Sequence, residues 1–350
     1  MAHQNYLDWL VSHTQTTWWN DSGAPDELTF ALEHGATGVT TNPVLSNIAL
    51  RTNRAYWATQ LQEVFAHNLA AEQKAEALTR IVVTHAASQY ESIHKKSGKR
   101  EGYVCAQVNP VLAGDREAMF AMAQRFHAFA PNIAVKLPVT AAGLEVLERC
   151  TAQGITVTAT VSFCVPQVVQ IAEAYRRGIA RALGNGVEPG KCFAVIMIGR
   201  LDDYLRDVAK DSQADLSESD IQQAGLAVTK RAYKIYQERG YEAVLLIAAL
   251  RGTHHVTELA GAKLILSIHP TYQKIFLSQD LPCEERIERD ISADVIARLE
   301  KLPEFVRSYE PDGMMAEEFI TYGANQRTLS QFIELGWKPL ENFHKEDVLS

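Results

Sequence analysis

The stretch Ala134-Val135-Lys136-Leu137-Pro138-Val139-Thr140 sets a lysine in the middle of an otherwise apolar run. An ammonium group buried among Val, Leu and Ile loses hydration, which lowers its pKa and lets a neutral amine exist near pH 7. A neutral buried lysine is a nucleophile towards carbonyls. Side chains alternate between the faces of a strand, so Val135 and Leu137 share one face while Ala134 and Lys136 share the other. In a closed barrel Lys136 then points inward. The bland alternative is a strand-end lysine whose stem is buried and whose head reaches water. The surroundings decide between the two.

Outward from Lys136, short β-branched or apolar runs alternate with helical periodicity. Eight such runs are predicted strands, at 16–20, 38–41, 103–108, 133–137, 155–161, 192–198, 243–249 and 263–268. One helix is predicted over 141–153, with Thr140 as its N-cap and Gly154 in the left-handed position that ends it. Another starts at Pro166, as first-turn prolines do. Eight β-then-α units predict an α/β (β/α)₈ TIM barrel with additional helices. No Gly-x-Gly-x-x-Gly follows any strand, which counts against a doubly wound dinucleotide fold. The connection 46–101 has room for two helices, and 201–240 carries another pair split by the polar stretch 210–220. Residues 1–350 are expected to form one barrel domain, with 271–350 as a C-terminal helical extension.

The formal charge of −8 and pI near 5.8 argue against a nucleic-acid or anionic-membrane partner. The one basic turn, His94-Lys95-Lys96 to Lys99-Arg100, reads as a solvated helix end. Met1-Ala2-His3-Gln4-Asn5-Tyr6 lacks a signal pattern, and no apolar run approaches the ~18 residues of a membrane span, so a cytoplasmic location is expected. Five scattered cysteines (Cys105, Cys150, Cys164, Cys192 and Cys283), without a Cys-x-x-Cys pair, read as reduced thiols. Of these only Cys164 is expected near the site, and Cys105 and Cys192 read as small core residues. Trp18 and Trp19 are expected in the barrel wall. His254-His255 and His269 invite a metal reading, but no acid stands at ligand spacing in the sequence, so no metal and no cofactor are expected. A histidine near the mouth remains a candidate contact for a substrate anion.

In a TIM barrel the C-terminal strand ends form the active site. Those ends carry Asp21, Asn42, Gln107, Lys136, Thr158 and Thr160, Arg200, and Arg251. A nucleophile, a carboxylate, neutral anchors and two cations are what imine chemistry on an anionic sugar would use. Singly, each has a plainer reading: Asp21 beside Ser22-Gly23 as a turn residue, Asn42 before Pro43 as a turn pair, and the arginines as partners of Asp202 and Asp203. Their joint placement favours the functional reading.

Several elements also resemble the transaldolase family in order and spacing. They are Thr40-Thr41-Asn42-Pro43, Val135-Lys136-Leu137-Pro138-Val139-Thr140, the strand from Gly154-Ile155 to Thr160 with Phe163 and Gln167, Gly199-Arg200, and Arg251 with Glu258-Leu259-Ala260-Gly261. The likeness runs from about 16 to 267 and returns at Ala324-Asn325-Gln326 to Leu329. It implies that Lys136 forms a Schiff base with the ketone of a ketose phosphate. It also implies that Asp21 removes the sugar hydroxyl proton as the carbon–carbon bond breaks, while Asn42 orients the donor and Arg200 and Arg251 clamp the phosphate. The implied partners are an anionic ketose and an aldehyde, and the resemblance is compatible with a homo-oligomer.

The chain departs from the family pattern at several places. Gln107 stands where a glutamate is usual, and glutamine holds a water but cannot accept its proton. Some aldolases of the same superfamily also carry glutamine there. Thr158 replaces an asparagine, Cys164 a serine, Val195 a serine that touches the donor, and Met197 an aromatic residue. The expected donor pocket is thus more apolar than usual, which suggests an altered donor or donor pose. Two alternatives to a transferase follow: an aldolase that releases its three-carbon product, and a non-catalytic sugar-phosphate-binding barrel.

Overall fold

A computed structural model describes residues 5–344. The reading of residues 1–4 and the end of the expected C-terminal extension, 345–350, lie outside that range. Seven strands, β1 (Thr17–Asn20), β2 (Val104–Gln107), β3 (Ile133–Pro138), β4 (Val157–Thr160), β5 (Cys192–Met197), β6 (Val244–Ala248) and β7 (Ile265–Ile268), form one sheet in the order β1-β7-β6-β5-β4-β3-β2. Every pairing is parallel. Strands buried on both faces need continuous apolar runs, and all six residues of β3 and of β5 are buried.

The two ends of the sheet are joined by the segment predicted as the second strand. Val39 bridges Asn20 on one side and Val104 on the other, both in parallel. Its backbone N–H donates to Tyr103 O and its carbonyl accepts from Cys105 N, each at 2.9 Å. The result is the predicted TIM barrel, with its second stave reduced to single bridges. Two features shorten that stave. Asn42 already caps the helix Pro43–Thr52, and Pro43 has no N–H to give a ladder.

The predicted punctuation around Lys136 is realised. Thr140 Oγ1 accepts from Gly143 N at 3.0 Å to start the helix Ala141–Ala152. Gly154 takes φ +78, and Ile155 N–H reaches back to Cys150 O at 2.9 Å, which closes the helix. The helix Val165–Gly184 begins with proline in its first turn, as predicted. The connection 46–101 was expected to hold two helices and holds more: Pro43–Thr52 runs into it, followed by Arg54–Phe65 and the long Ala71–Lys96. Asn53 interrupts the first pair. His94, expected on a solvated helix end, is buried, with Nδ1 2.8 Å from Glu101 O.

After β7 come the helices Pro270–Ser278, Ala293–Leu299, Pro303–Tyr309 and Gly323–Phe332 and a π-turn Ile333–Trp337. They return to the barrel, burying Phe305, Phe319, Phe332 and Trp337 in the same apolar cluster as the strands. The π-turn packs on the helix Pro43–Thr52, which brings residues 331–335 to the barrel mouth. Among the described residues no helix is long and apolar enough to cross a membrane.

The closing stave is also a tight point of the wall. Trp18 and Trp19 are both buried, and the Trp19 indole packs edge-on to Phe193 at 4.7 Å between centroids. A Cβ on Gly38 would lie 2.5 Å from that indole. Gly38→Ala is therefore expected to destabilise the protein by roughly 1–3 kcal/mol through overpacking. A urea midpoint lowered at unchanged slope checks this, and an unmoved midpoint contradicts it.

Candidate active site

The register of the sheet places Lys136 between Gln107 on β2 and Thr158 on β4. Its side chain lies inside the barrel and the residue is only 5% exposed. Nζ donates to the carbonyl of Thr41 at 3.1 Å, and among the described residues no carboxylate lies within ion-pair distance of it. Burial lowers the Lys136 pKa as the largest effect. Cys105 and Asp21 oppose the shift and Arg200 adds to it, so the amine feels the charge of all three. Cys105, read from the sequence as a plain core residue, is the thiol beside the amine, with Sγ 3.3 Å from Thr158 Oγ1. Cys164 instead donates to Gln167 Oε1 at 3.0 Å. Among the described residues no disulfide links the cysteines.

The tetrapeptide Thr40-Thr41-Asn42-Pro43 serves the site residue by residue. Thr40 Oγ1 donates to Asp21 Oδ1 at 2.6 Å and lies 2.6 Å from Ser267 Oγ, so it fixes the carboxylate against β7. Thr41 offers its carbonyl to Lys136, while its own hydroxyl donates to Cys105 O at 2.7 Å. Asn42 Oδ1 accepts from Val44 N and Leu45 N at 2.9 and 3.0 Å. The plain reading of Asn42 as a turn and cap residue is thus correct for its oxygen, which leaves its amide NH₂ for a ligand.

A cavity of about 280 Å³ opens at the C-terminal mouth, and Asp21, Asn42, Arg200 and Arg251 all line it. The two cations differ. Arg200 Nη1 contacts Gln331 Oε1 and Thr328 Oγ1, the guanidinium lies 5.3 Å from the Phe332 ring centroid, and among the described residues it has no carboxylate partner. Burial, then the charge of Arg251, lowers its pKa, so this cation is held at a cost that an anion would offset. Arg251 is paired: Asp203 Oδ2 lies 2.9 Å from Nε and 2.7 Å from Nη2, and Nη1 donates to Ala249 O and Leu250 O. The ion-pair reading of Arg251 therefore holds alongside its place in the cavity wall.

Lys136 and the other residues expected at the site lie outside the cavity wall. Gln107, Thr158, Thr160, Val195 and Met197 are buried in the barrel interior. Gln107 Oε1 has no protein partner there, and Thr160 Oγ1 comes no closer to Met197 Sδ than 4.0 Å. The cavity wall includes residues not anticipated from the strand ends: Ser267, Tyr272, Gln331, Phe332 and Leu335. The last three come from the C-terminal helix and π-turn, whose sequence signals a helix but not what it covers. His269, flagged as a mouth histidine, lines the cavity too. Val161 and Ala249, just past β4 and β6, take φ +55 and +59, a conformation costly for non-glycine residues that turns the chain over the mouth. A larger cavity of about 640 Å³ at the opposite end, edged by Lys96, Arg100, Lys191 and Lys263, contains none of the expected site residues.

The expectation that no acid stands near the paired histidines is corrected. Asp202, from the helix Ile198–Asp211, brings a carboxylate oxygen within 4.8 Å of ring nitrogens of both His254 and His255. The set does not fit a cation well. Arg251 N–H donates to His255 Nδ1 at 3.2 Å, which leaves the ring proton on Nε2, the nitrogen that would have to bind. Burial and the neighbouring His255 hold His254 down at about 4.

Fold and cavity together define a (β/α)₈-barrel protein with a desolvated lysine inside and an acid and two guanidiniums around the C-terminal mouth. The chain belongs to the transaldolase/fructose-6-phosphate aldolase family, whose sequence profile matches residues 18–321. It is similar to a transaldolase of Neisseria gonorrhoeae, with 30% identity over 216 residues covering 61% of this chain and 59% of that protein. Transaldolase 1 of Streptomyces avermitilis is 28% identical over 205 residues, 57% of this chain and 54% of that one. A transaldolase of Thiobacillus denitrificans is 29% identical over 224 residues, 63% and 62% of the two chains. The matched region thus spans only a little over half of each relative.

The buried amine has a signature in stability. The unfolded chain holds a lysine proton up to its ordinary pKa of 10.5, whereas the folded site releases it at lower pH. The penalty is complete below the folded pKa, shrinks as pH rises between the two values, and vanishes above the unfolded one. Lys136→Met should therefore raise the melting temperature most at low pH, with the gain narrowing as pH rises through the folded pKa towards 10.5. A difference in melting temperature that does not change with pH contradicts this.

Proposed function

We propose that the protein is a transaldolase-like transferase that moves a three-carbon ketol unit between sugar phosphates through a Schiff base on Lys136. The observation that carries the proposal is the buried lysine, without a carboxylate partner among the described residues and acted on by Asp21 at the mouth of the barrel. The neutral Nζ adds to the donor ketone, and loss of water leaves a protonated imine. Asp21 takes the proton of the hydroxyl next to the bond that breaks. The bonding pair flows into the imine to give an enamine, and an aldehyde departs. The enamine then attacks an acceptor aldehyde, Asp21 returns the proton, and water hydrolyses the new imine. Arg200, and Arg251 if Asp203 yields, would hold the anionic end of the sugar.

A second reading, an aldolase that releases the three-carbon product, is favoured by Gln107. Its unpaired buried Oε1 can hold a water near the amine but cannot relay that water's proton. Val195 and Met197 line the interior with apolar surface, in keeping with a donor or donor pose different from the usual dihydroxyacetone unit.

Borohydride reduction with fructose 6-phosphate and a panel of other ketoses, followed by peptide mapping, is expected to give an adduct on Lys136. An adduct on another lysine, or binding without any adduct, rejects the proposal, the latter in favour of a non-catalytic sugar-phosphate barrel. Donor supplied without acceptor separates the readings further, since steady release of free ketone identifies the aldolase. Asp21→Asn should retain the adduct while turnover falls by roughly 10²–10⁴-fold. Arg200→Gln should raise KM for a phosphorylated donor by about 10–100-fold, the value of a charge-assisted hydrogen bond. An unchanged KM would remove Arg200 from the binding role.

A further inference from the structure

Arg251 is held at both ends by one helix. Asp203 takes its guanidinium, and the preceding residue, Asp202, reaches its backbone through His255. The Arg251 N–H donates to His255 Nδ1 at 3.2 Å, and His255 Nε2 lies 2.9 Å from Asp202 Oδ2. The other carboxylate oxygen of Asp202 accepts from Gly225 N at 2.8 Å. Asp202 is 1% exposed and His255 fully buried, and neither lines the mouth cavity.

A neutral imidazole carries one N–H and one lone pair. The Arg251 amide occupies the lone pair of Nδ1, so the proton belongs on Nε2, where Asp202 is the acceptor in reach. The Nε2–H is not squarely aimed at Oδ2, and the two groups meet as a close polar contact at 2.9 Å. The backbone being steadied is a strained one. Ala249, two residues before Arg251, sits at φ +59, and Arg251 Nη1 folds back onto the carbonyls of Ala249 and Leu250.

We propose that Asp202 and His255 are positioning residues: the carboxylate fixes the Nε2–H tautomer of His255, whose Nδ1 then seats the Arg251 backbone and sets the second guanidinium at the cavity rim. The inference rests on the reading of Arg200 and Arg251 as the grip for an anionic substrate end. It adds that the two cations are not independent. The helix Ile198–Asp211 supplies Arg200 itself and, through Asp202 and Asp203, both restraints on Arg251.

Asp202→Asn tests this with almost no change of shape. Gly225 N–H still needs an acceptor, so the amide oxygen faces it and the NH₂ faces His255 Nε2. That drives the ring proton to Nδ1, against the Arg251 N–H. ¹⁵N NMR of the histidines in the full-length protein should report Nε2–H at His255 in the wild type and Nδ1–H in Asp202→Asn. Affinity for inorganic phosphate should fall on the order of tenfold in the variant, as for a lost hydrogen bond to a charged group, and KM for a phosphorylated donor should rise in step while kcat holds. His255→Asn, whose Oδ1 can still accept from Arg251 N, should keep phosphate affinity near that of the wild type, a rescue that a purely structural role does not predict. It also serves if Asp202→Asn fails to fold. Nδ1–H in the wild type, zinc binding through His255, or unchanged phosphate affinity after the tautomer has flipped would each overturn the proposal. A wild type that does not bind phosphate overturns the anion-grip reading, and this inference with it, whatever tautomer the spectra show.

Discussion

The hydrogen bond from Lys136 Nζ to the carbonyl of Thr41 lies inside a barrel whose walls leave the lysine 5% exposed. An ammonium in such a place gives up most of its hydration for one carbonyl, and among the described residues no carboxylate pairs with it. The rest of the molecule can be understood as making this arrangement stable and useful. The apolar strands desolvate the amine, and their closure at Val39 keeps bulk water from reaching it through the wall. Thr41, which orients the amine, belongs to the same short stave that orients Asp21 through Thr40. Lysine and acid are thus aligned by adjacent residues of one segment.

A second constraint operates at the mouth. Arg200 and Arg251 face the same cavity of about 280 Å³, and the charge of Arg251 adds to the cost that burial sets on Arg200. Asp203 compensates one of them, while Arg200 is left with neutral contacts to Gln331 and Thr328 and the face of Phe332. A site built this way favours a ligand carrying negative charge. The C-terminal helix and π-turn form part of its wall, so a segment remote in sequence contributes to the shape of the cavity.

Much of this was legible in the chain because local chemistry forces it. An apolar run with one lysine, a threonine cap and a left-handed glycine specify a strand, a helix and its end with little help from elsewhere, and repetition of that unit points to a barrel. Asp21, Asn42, Arg200 and Arg251 were placed together because strand ends share one mouth. Where the reading failed, a partner distant in sequence decided the outcome. Asp202 meets His255 although a helix and a strand separate them in the chain, Cys105 rather than Cys164 acts on the amine, and the second strand shrinks to single bridges from Val39 to Asn20 and Val104. Gln107, Thr158, Thr160, Val195 and Met197 fall in the interior and not in the cavity wall, since neighbouring residues of a strand lie at different depths along the barrel axis.

The sequence by itself determined the alternation of strands and helices, the inward-facing lysine, the reduced thiols and the family likeness, all of which follow from the order of residue types along the backbone. Tertiary structure alone decided which charges compensate one another. Coulomb attraction and desolvation depend on distance and burial rather than on spacing in the chain. The pairing of Arg251 with Asp203, the solitude of Arg200 and the link from Asp202 through His255 exist only once the helix Ile198–Asp211 is packed against the end of β6.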